Sequence, residues 1–126
     1  MHIEHVALWT QDLDRLKTFY ETYFGAVAND LYQSRRRPFE SYFLTFASGA
    51  RLELMKLPGI DEPRSDRSLG YTHLALSTGS REAVDALVAR LRQDGIRIVS
   101  EPRVTGDGYY ESVVEDPDGN EVEITI

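Results

Sequence analysis

The sequence predicts an α+β fold made of two β-α-β-β-β modules that lie side by side in a cup-shaped mixed sheet. Three observations carry this. A pattern repeats: Glu4-His5-Val6-Ala7-Leu8 returns 68 positions later as Thr72-His73-Leu74-Ala75-Leu76, and Gly49-Ala50-Arg51-Leu52-Glu53-Leu54 returns 70 positions later as Gly119-Asn120-Glu121-Val122-Glu123-Ile124. In each copy the apolar spacing passes from alternation to a helical period and back to alternation. Finally, 126 residues at 41% hydrophobic can bury one ordinary core. We therefore expect a single domain over 1–126, with module one at about 1–57, a connector over 58–68 and module two at about 69–126.

Ile3 to Trp9 alternates and is bounded by Thr10-Gln11-Asp12, which reads as a strand with His5, Ala7 and Trp9 on one face and Val6 and Leu8 on the other. Asp12 is placed to cap a helix whose Leu13, Leu16, Tyr20, Tyr23 and Phe24 follow helical spacing, and Gly25 stops it. That helix should cover Val6 and Leu8. After a loop carrying Arg35-Arg36-Arg37-Pro38, the runs Ser41 to Ala47 and Ala50 to Leu57 flank Ser48-Gly49, which predicts a two-residue hairpin turn. Such a turn pairs Leu44 with Glu53. It puts Tyr42, Leu44, Phe46, Arg51, Glu53 and Met55 on one face, with Phe43, Thr45, Leu52 and Leu54 on the opposite one.

Pro58 to Asp66 is polar, with two prolines and a glycine, and reads as the connector. The unit then begins again. Tyr71 to Thr78 predicts a strand with His73 and Ala75 on one face, and Ser80 caps a helix with Val84, Leu87, Val88 and Leu91 on its buried stripe, ended by Gly95. Ile96 to Val99 predicts a short strand, and Tyr110 to Pro117 and Asn120 to Ile126 a hairpin about Asp118-Gly119. A two-residue turn there sets Tyr110, Ser112 and Val114 on the face of Glu121 and Glu123.

Composition narrows the function. The net charge of −7 opposes nucleic acid and anionic lipid as main partners. With no cysteine there is neither a disulfide framework nor a protein thiol nucleophile. No basic segment leads an apolar one at the N-terminus and no apolar run approaches a membrane span, so the cytoplasm is the default location. Taken singly, His5 or His73 reads as a hydrogen-bonded structural histidine, and Glu53 or Glu123 as a solvated strand residue. Both types recur at equivalent places with the parity that turns them to one side. Such nitrogen and oxygen donors suit a divalent metal: Ni, Co, Zn, Mn or Fe.

His5-Val6-Ala7-Leu8, Arg51-Leu52-Glu53-Leu54, His73-Leu74-Ala75-Leu76 and Glu115-Asp116-Pro117-Asp118-Gly119-Asn120-Glu121-Val122-Glu123 together resemble the vicinal-oxygen-chelate superfamily, which includes glyoxalase I, methylmalonyl-CoA epimerase and extradiol dioxygenases. The resemblance spans nearly the whole chain and implies the paired-module cup, with a metal between the units. The ligand set His5, Glu53, His73 and Glu123 is similar to that of glyoxalase I. It implies chelation of two vicinal substrate oxygens and a proton shuttled between adjacent carbons, with Glu123 as base and Glu53 as its counterpart.

Glutathione-using glyoxalases commonly place an arginine, an asparagine and a lysine where this chain has Trp9, Leu57 and Thr105. The expectation is therefore a metal-dependent lyase or isomerase that is not optimised for glutathione. The alternatives are an epimerase or dioxygenase of the same superfamily, or a non-catalytic small-molecule or metal-binding module. Trp9, Tyr42, Arg51, Tyr109 and Tyr110 are candidate substrate-binding residues, the aromatic ones reading equally as core packing. Arg35 to Arg37 read as a solvated loop or an attractor of anionic substrate, and Thr105 to Gly108 as a lid or a plain turn. Open sheet edges imply a homodimer, and the resemblance leaves each site either within one chain or shared between two subunits.

Overall fold

A computed structural model describes residues 1–62 and 69–126; the connector's residues 63–68 lie outside the described residues. The chain divides into two compact units, Met1–Pro63 and Arg64–Ile126. The first holds β1 (His5–Trp9), α1 (Leu13–Phe24), β2 (Val27–Ala28), β3 (Tyr32–Gln33), β4 (Glu40–Thr45) and β5 (Arg51–Lys56). The second holds β6 (His73–Ser77), α2 (Arg81–Gln93), β7 (Ile98–Val104), β8 (Tyr110–Glu115) and β9 (Glu121–Thr125). The α+β class holds in both; the second unit has the expected β-α-β-β-β order, while the first carries one strand more, with the two short strands β2 and β3 between α1 and β4.

The first sheet runs β1-β5-β4-β2, with β3 also on β4; the second runs β6-β9-β8-β7. In each, the opening strand lies parallel to the closing one while the hairpins are antiparallel, so the sheets are mixed and open. The helix caps follow the sequence. Asp12 accepts from the Arg15 backbone N–H at 3.0 Å and Ser80 from that of Ala83 at 3.1 Å, each satisfying a free donor of the first turn. Gly25 closes α1 with φ of 64°, a left-handed conformation that side chains resist. The α1 stripe buries Leu13, Leu16, Phe19 and Tyr20, so Phe19 joins the core instead of the predicted Tyr23 and Phe24, while α2 buries Val84, Val88 and Leu91. Leu44, Leu52 and Leu54 complete the first core; Val114, Val122 and Ile124 complete the second.

Both central hairpins differ from expectation by one residue. Phe43 pairs with Glu53 and Leu44 with Leu52; Val113 pairs with Glu123 and Val114 with Val122. The second loop shows why. The Asp116 backbone N–H donates to Asn120 O at 2.9 Å and the Gly119 N–H to Asp116 O at 3.0 Å, which encloses Pro117-Asp118-Gly119. This is a three-residue loop ending in a left-handed glycine, with Gly119 at φ 83°. Buried Asp116 fastens it, its Oδ1 accepting from the backbone N–H of Asp118 and of Asn120, each at 2.9 Å. Gly49, at φ 86°, ends the matching loop in the first unit.

The slip moves whole faces, because strand side chains alternate. Leu44 and Tyr42 go to the α1 side with Leu52 and Leu54; Ser112 and Val114 go to the α2 side with Val122 and Ile124. Two further differences concern weakly patterned segments. The stretch read as loop before Arg35 contains β2 and β3, each too short to display alternation. The strand expected at Ile96 to Val99 runs instead from Ile98 to Val104, with pairing irregularities between Ile98 and Ser100 and between Ser100 and Arg103. Pro102, which has no N–H to donate, lies in the second of these.

Candidate metal and active site

In the first unit, parallel pairing places His5 opposite Arg51, Ala7 opposite Glu53 and Trp9 opposite Met55. Paired residues share a face, and this is the one α1 does not cover. His5 Nε2 lies 3.8 Å from Glu53 Oε2. The second unit repeats the arrangement, with Ala75 opposite Glu123 and His73 Nε2 at 3.5 Å from Glu123 Oε2. Both glutamates are mostly covered while the histidines are about two-fifths exposed.

The chemistry of these donors fits a divalent metal. Two ligands at ~2.1 Å from a shared ion, between right-angled and tetrahedral, stand roughly 3.0–3.4 Å apart, so each pair is within about half an ångström of a coordination edge. Among the described residues, no three His, Cys, Asp or Glu side chains are grouped to hold a metal. Each unit alone thus brings together one His–Glu pair.

The two pairs have different surroundings. His5 Nδ1 meets Glu4 Oε2, while the Glu4 carboxylate is also bound by Arg51, whose Nε donates to Oε1 at 2.8 Å. The hydrogen bond to His5, reinforced by Arg51, holds the Glu4 carboxyl below its ordinary value. Arg51 lies 4.1 Å over the Phe43 ring, and His5 meets the same ring edge-on at 5.4 Å. In the second unit Thr72 Oγ1 stands 3.1 Å from His73 Nδ1. There the Glu123 carboxyl is pushed up by burial and then by the neighbouring Glu111 carboxylate, with His73 and Arg103 opposing. Arg103 Nη2 is 3.6 Å from Glu111 Oε1. Glu111 and Arg103 were missed in the sequence because the two-residue turn put Tyr110, not Glu111, on the Glu123 face; Pro117 before Asp118-Gly119 was the available signal for the longer loop.

In metal-free protein, Glu123 should titrate above 4.5, and Glu111→Gln should lower it by removing a like charge. Side-chain carboxyl NMR against pH checks both. Because the folded value is raised, protonated Glu123 favours the fold. That contribution is complete below the unfolded value and fades as pH rises through the folded one.

The substrate-binding candidates separate. Trp9 shares the His5 face, is 43% exposed and touches Phe39 edge-on at 6.4 Å. Tyr42, expected beside Glu53, lies on the helix side, where its hydroxyl donates to Asp14 Oδ1 at 3.2 Å and Lys17 sits 4.5 Å over its ring. Tyr110 is likewise tied to α2, donating to Asp85 Oδ1 at 2.7 Å with Arg81 over its ring at 4.9 Å. Its hydrogen bond to Asp85 raises the phenol above its ordinary range. Tyr109 is exposed at the end of a hydrogen-bonded turn: Thr105 N–H donates to Tyr109 O at 2.8 Å and Gly108 N–H to Thr105 O at 3.0 Å. Arg35, Arg36 and Arg37 are exposed, with Arg37 stacked 4.6 Å over Phe39.

Comparison with known proteins adds to this geometry. A protein of Pseudomonas aeruginosa, itself uncharacterised, is 32% identical over 98% of this chain and 86% of its own length. The trypanothione-dependent glyoxalase I of Leishmania major superposes with a TM-score of 0.80 at 26% identity, covering 99% of this chain and 86% of that enzyme. A glyoxalase I variant from Zea mays superposes with a TM-score of 0.81 at 25% identity over 98% of this chain, which spans only 44% of the maize protein. The profile of one family matches residues 2–124. With duplicated modules, a His–Glu pair in each and this match along almost its whole length, the chain belongs to the Glyoxalase/Bleomycin resistance protein/Dioxygenase superfamily.

Proposed function

We propose that the protein is a metal-dependent lyase or isomerase of the glyoxalase I type, acting by proton transfer beside a chelated carbonyl, with a substrate other than a glutathione adduct. The observation that carries this reading is the repetition of a His Nε2–Glu Oε2 pair, at 3.8 and 3.5 Å, on the helix-free face of both sheets. Superfamily membership and the glyoxalase I neighbours support it.

His5, Glu53, His73 and Glu123 would hold one divalent cation, drawn from a half-site of each kind, in a homodimer. When bound, that cation supplies Lewis-acid polarisation of two vicinal substrate oxygens. Glu123 takes the proton from the carbon beside the carbonyl and returns it to the neighbouring carbon, as a carboxylate base can. Glu53 is its counterpart in the first unit, and the two histidines anchor. Trp9 and Tyr109 are the aromatic candidates left open to a substrate, since Tyr42 and Tyr110 are tied to their helices.

Elemental analysis of protein purified without chelator, followed by assays on hemithioacetals and α-hydroxy carbonyls, tests the proposal. Expected are one bound divalent metal per four-ligand set and turnover of a non-glutathione substrate. The methylglyoxal–glutathione adduct should react slowly, because Trp9, Leu57 and Thr105 supply no charged anchor and each lost charge-assisted contact costs ~1.5–3 kcal/mol. Protein that stays metal-free on titration with Ni, Co, Zn and Mn would refute the metal assignment. A glutathione-adduct rate matching established glyoxalases would refute the substrate half.

A further inference from the structure

The two histidines, equivalent in the repeat, are held in unequal ways. Neutral imidazole carries its proton on one nitrogen and a donor lone pair on the other, so a histidine that binds metal through Nε2 must keep its proton on Nδ1. An ionised carboxylate only accepts. Glu4 Oε2 at His5 Nδ1 therefore draws the proton to that nitrogen. His5 Nε2, 3.8 Å from Glu53 Oε2, is beyond hydrogen-bonding distance of it.

Glu4 is itself held, because Arg51 binds its other oxygen through Nε at 2.8 Å and also through Nη2. Phe43 fixes the assembly laterally, under the Arg51 guanidinium and against the His5 ring. Three side chains, Glu4, Arg51 and Phe43, on or beside three adjacent strands, thus bear on one imidazole. Among the described residues no carboxylate meets His73 Nδ1: Thr72 replaces Glu4, and its hydroxyl, 3.1 Å from Nδ1, can donate or accept and so selects no tautomer.

We propose that Glu4, clamped by Arg51, is a positioning residue that locks His5 as the Nδ1–H tautomer and so presents its Nε2 lone pair as a preformed metal donor. This rests on the metal reading above, and it assigns Arg51 to holding Glu4 instead of holding substrate. Partners of this kind to a ligating histidine typically change metal affinity 10–100-fold when removed.

The test begins with the metal-free full chain at slightly alkaline pH, using long-range proton–nitrogen NMR of the imidazoles. His5 should show a protonated Nδ1 and an unprotonated Nε2. Glu4→Ala should shift it toward the Nε2–H form, whereas Glu4→Gln, which keeps a carbonyl acceptor, should retain the lock. Cobalt(II) titration of the same three proteins should then show affinity reduced about 10–100-fold in Glu4→Ala and largely rescued in Glu4→Gln. A wild-type His5 that is Nε2–H or doubly protonated, or a tautomer unmoved by Glu4→Ala, overturns the proposal. A locked tautomer in a protein that takes up no cobalt upholds the positioning role and overturns the metal reading instead.

Discussion

Glu123→Gln is expected to abolish turnover of the true substrate, with a loss of about 10²–10⁴-fold from the missing base and more if metal retention also suffers. Gln keeps the size and one oxygen donor of Glu but cannot accept the substrate proton. Deuterium from solvent should therefore enter the exchangeable C–H of substrate in the wild type, only with metal present, and not in the variant. Glu123 is the appropriate target because it stands beside the Glu111 carboxylate, whereas its counterpart Glu53 faces Phe43 across its hairpin. Exchange at the wild-type rate in Glu123→Gln would remove this residue from the chemistry.

Mixing two inactive variants should restore activity if each centre draws its half-sites from different subunits. His5→Ala damages the first-unit pair and Glu123→Ala the second. In a mixed dimer of that design one centre inherits both lesions and the other inherits none. Random assortment makes half the dimers mixed, each with one intact centre of two, so about a quarter of the wild-type rate should return. Stepwise recombination under mild denaturant, followed by assay and by sedimentation to establish the dimer, provides the measurement. Activity that never rises above that of either variant, in a confirmed mixed dimer, would place both half-sites of a centre in one chain.

The duplicated unit, both helix caps and the parity of His5, Glu53, His73 and Glu123 were legible in the sequence, because they depend on local chemistry and on alternation counted within a single strand. What was not legible depended on relations between strands. The dipeptides Ser48-Gly49 and Asp118-Gly119 announce a hairpin without fixing whether its loop holds two residues or three, and one residue decides every cross-strand neighbour. Tyr42 and Tyr110 were consequently assigned to the wrong face, and Glu111 with its partner Arg103 was overlooked beside Glu123. The face expected for His5, Glu53, His73 and Glu123 was unaffected by this error because β1 with β5 and β6 with β9 are parallel pairs whose face is set by the covering helix, not by the hairpin loop. Glu4 was visible in the first repeated segment only as one of two places where the copies disagree, Glu against Thr72. That difference gained meaning once Arg51 was found across the sheet.

The parallel pairing also governs when each half-site comes into being. His5 and Glu53 are separated by about fifty residues of chain, and bringing such distant segments together carries an entropy cost that neighbouring hairpin strands do not incur. The β4–β5 and β8–β9 hairpins can zip from their loops outward, but they hold only the glutamates. The histidines arrive when the opening strand docks along the closing one, after a helix and the intervening strands have been spanned. If the hairpins form first, the amide protons of β4–β5 and β8–β9 should gain protection from exchange before those of β1 and β6, and each glutamate would be in place before its histidine. Each His–Glu pair is in this sense completed only by the closing contacts of its module.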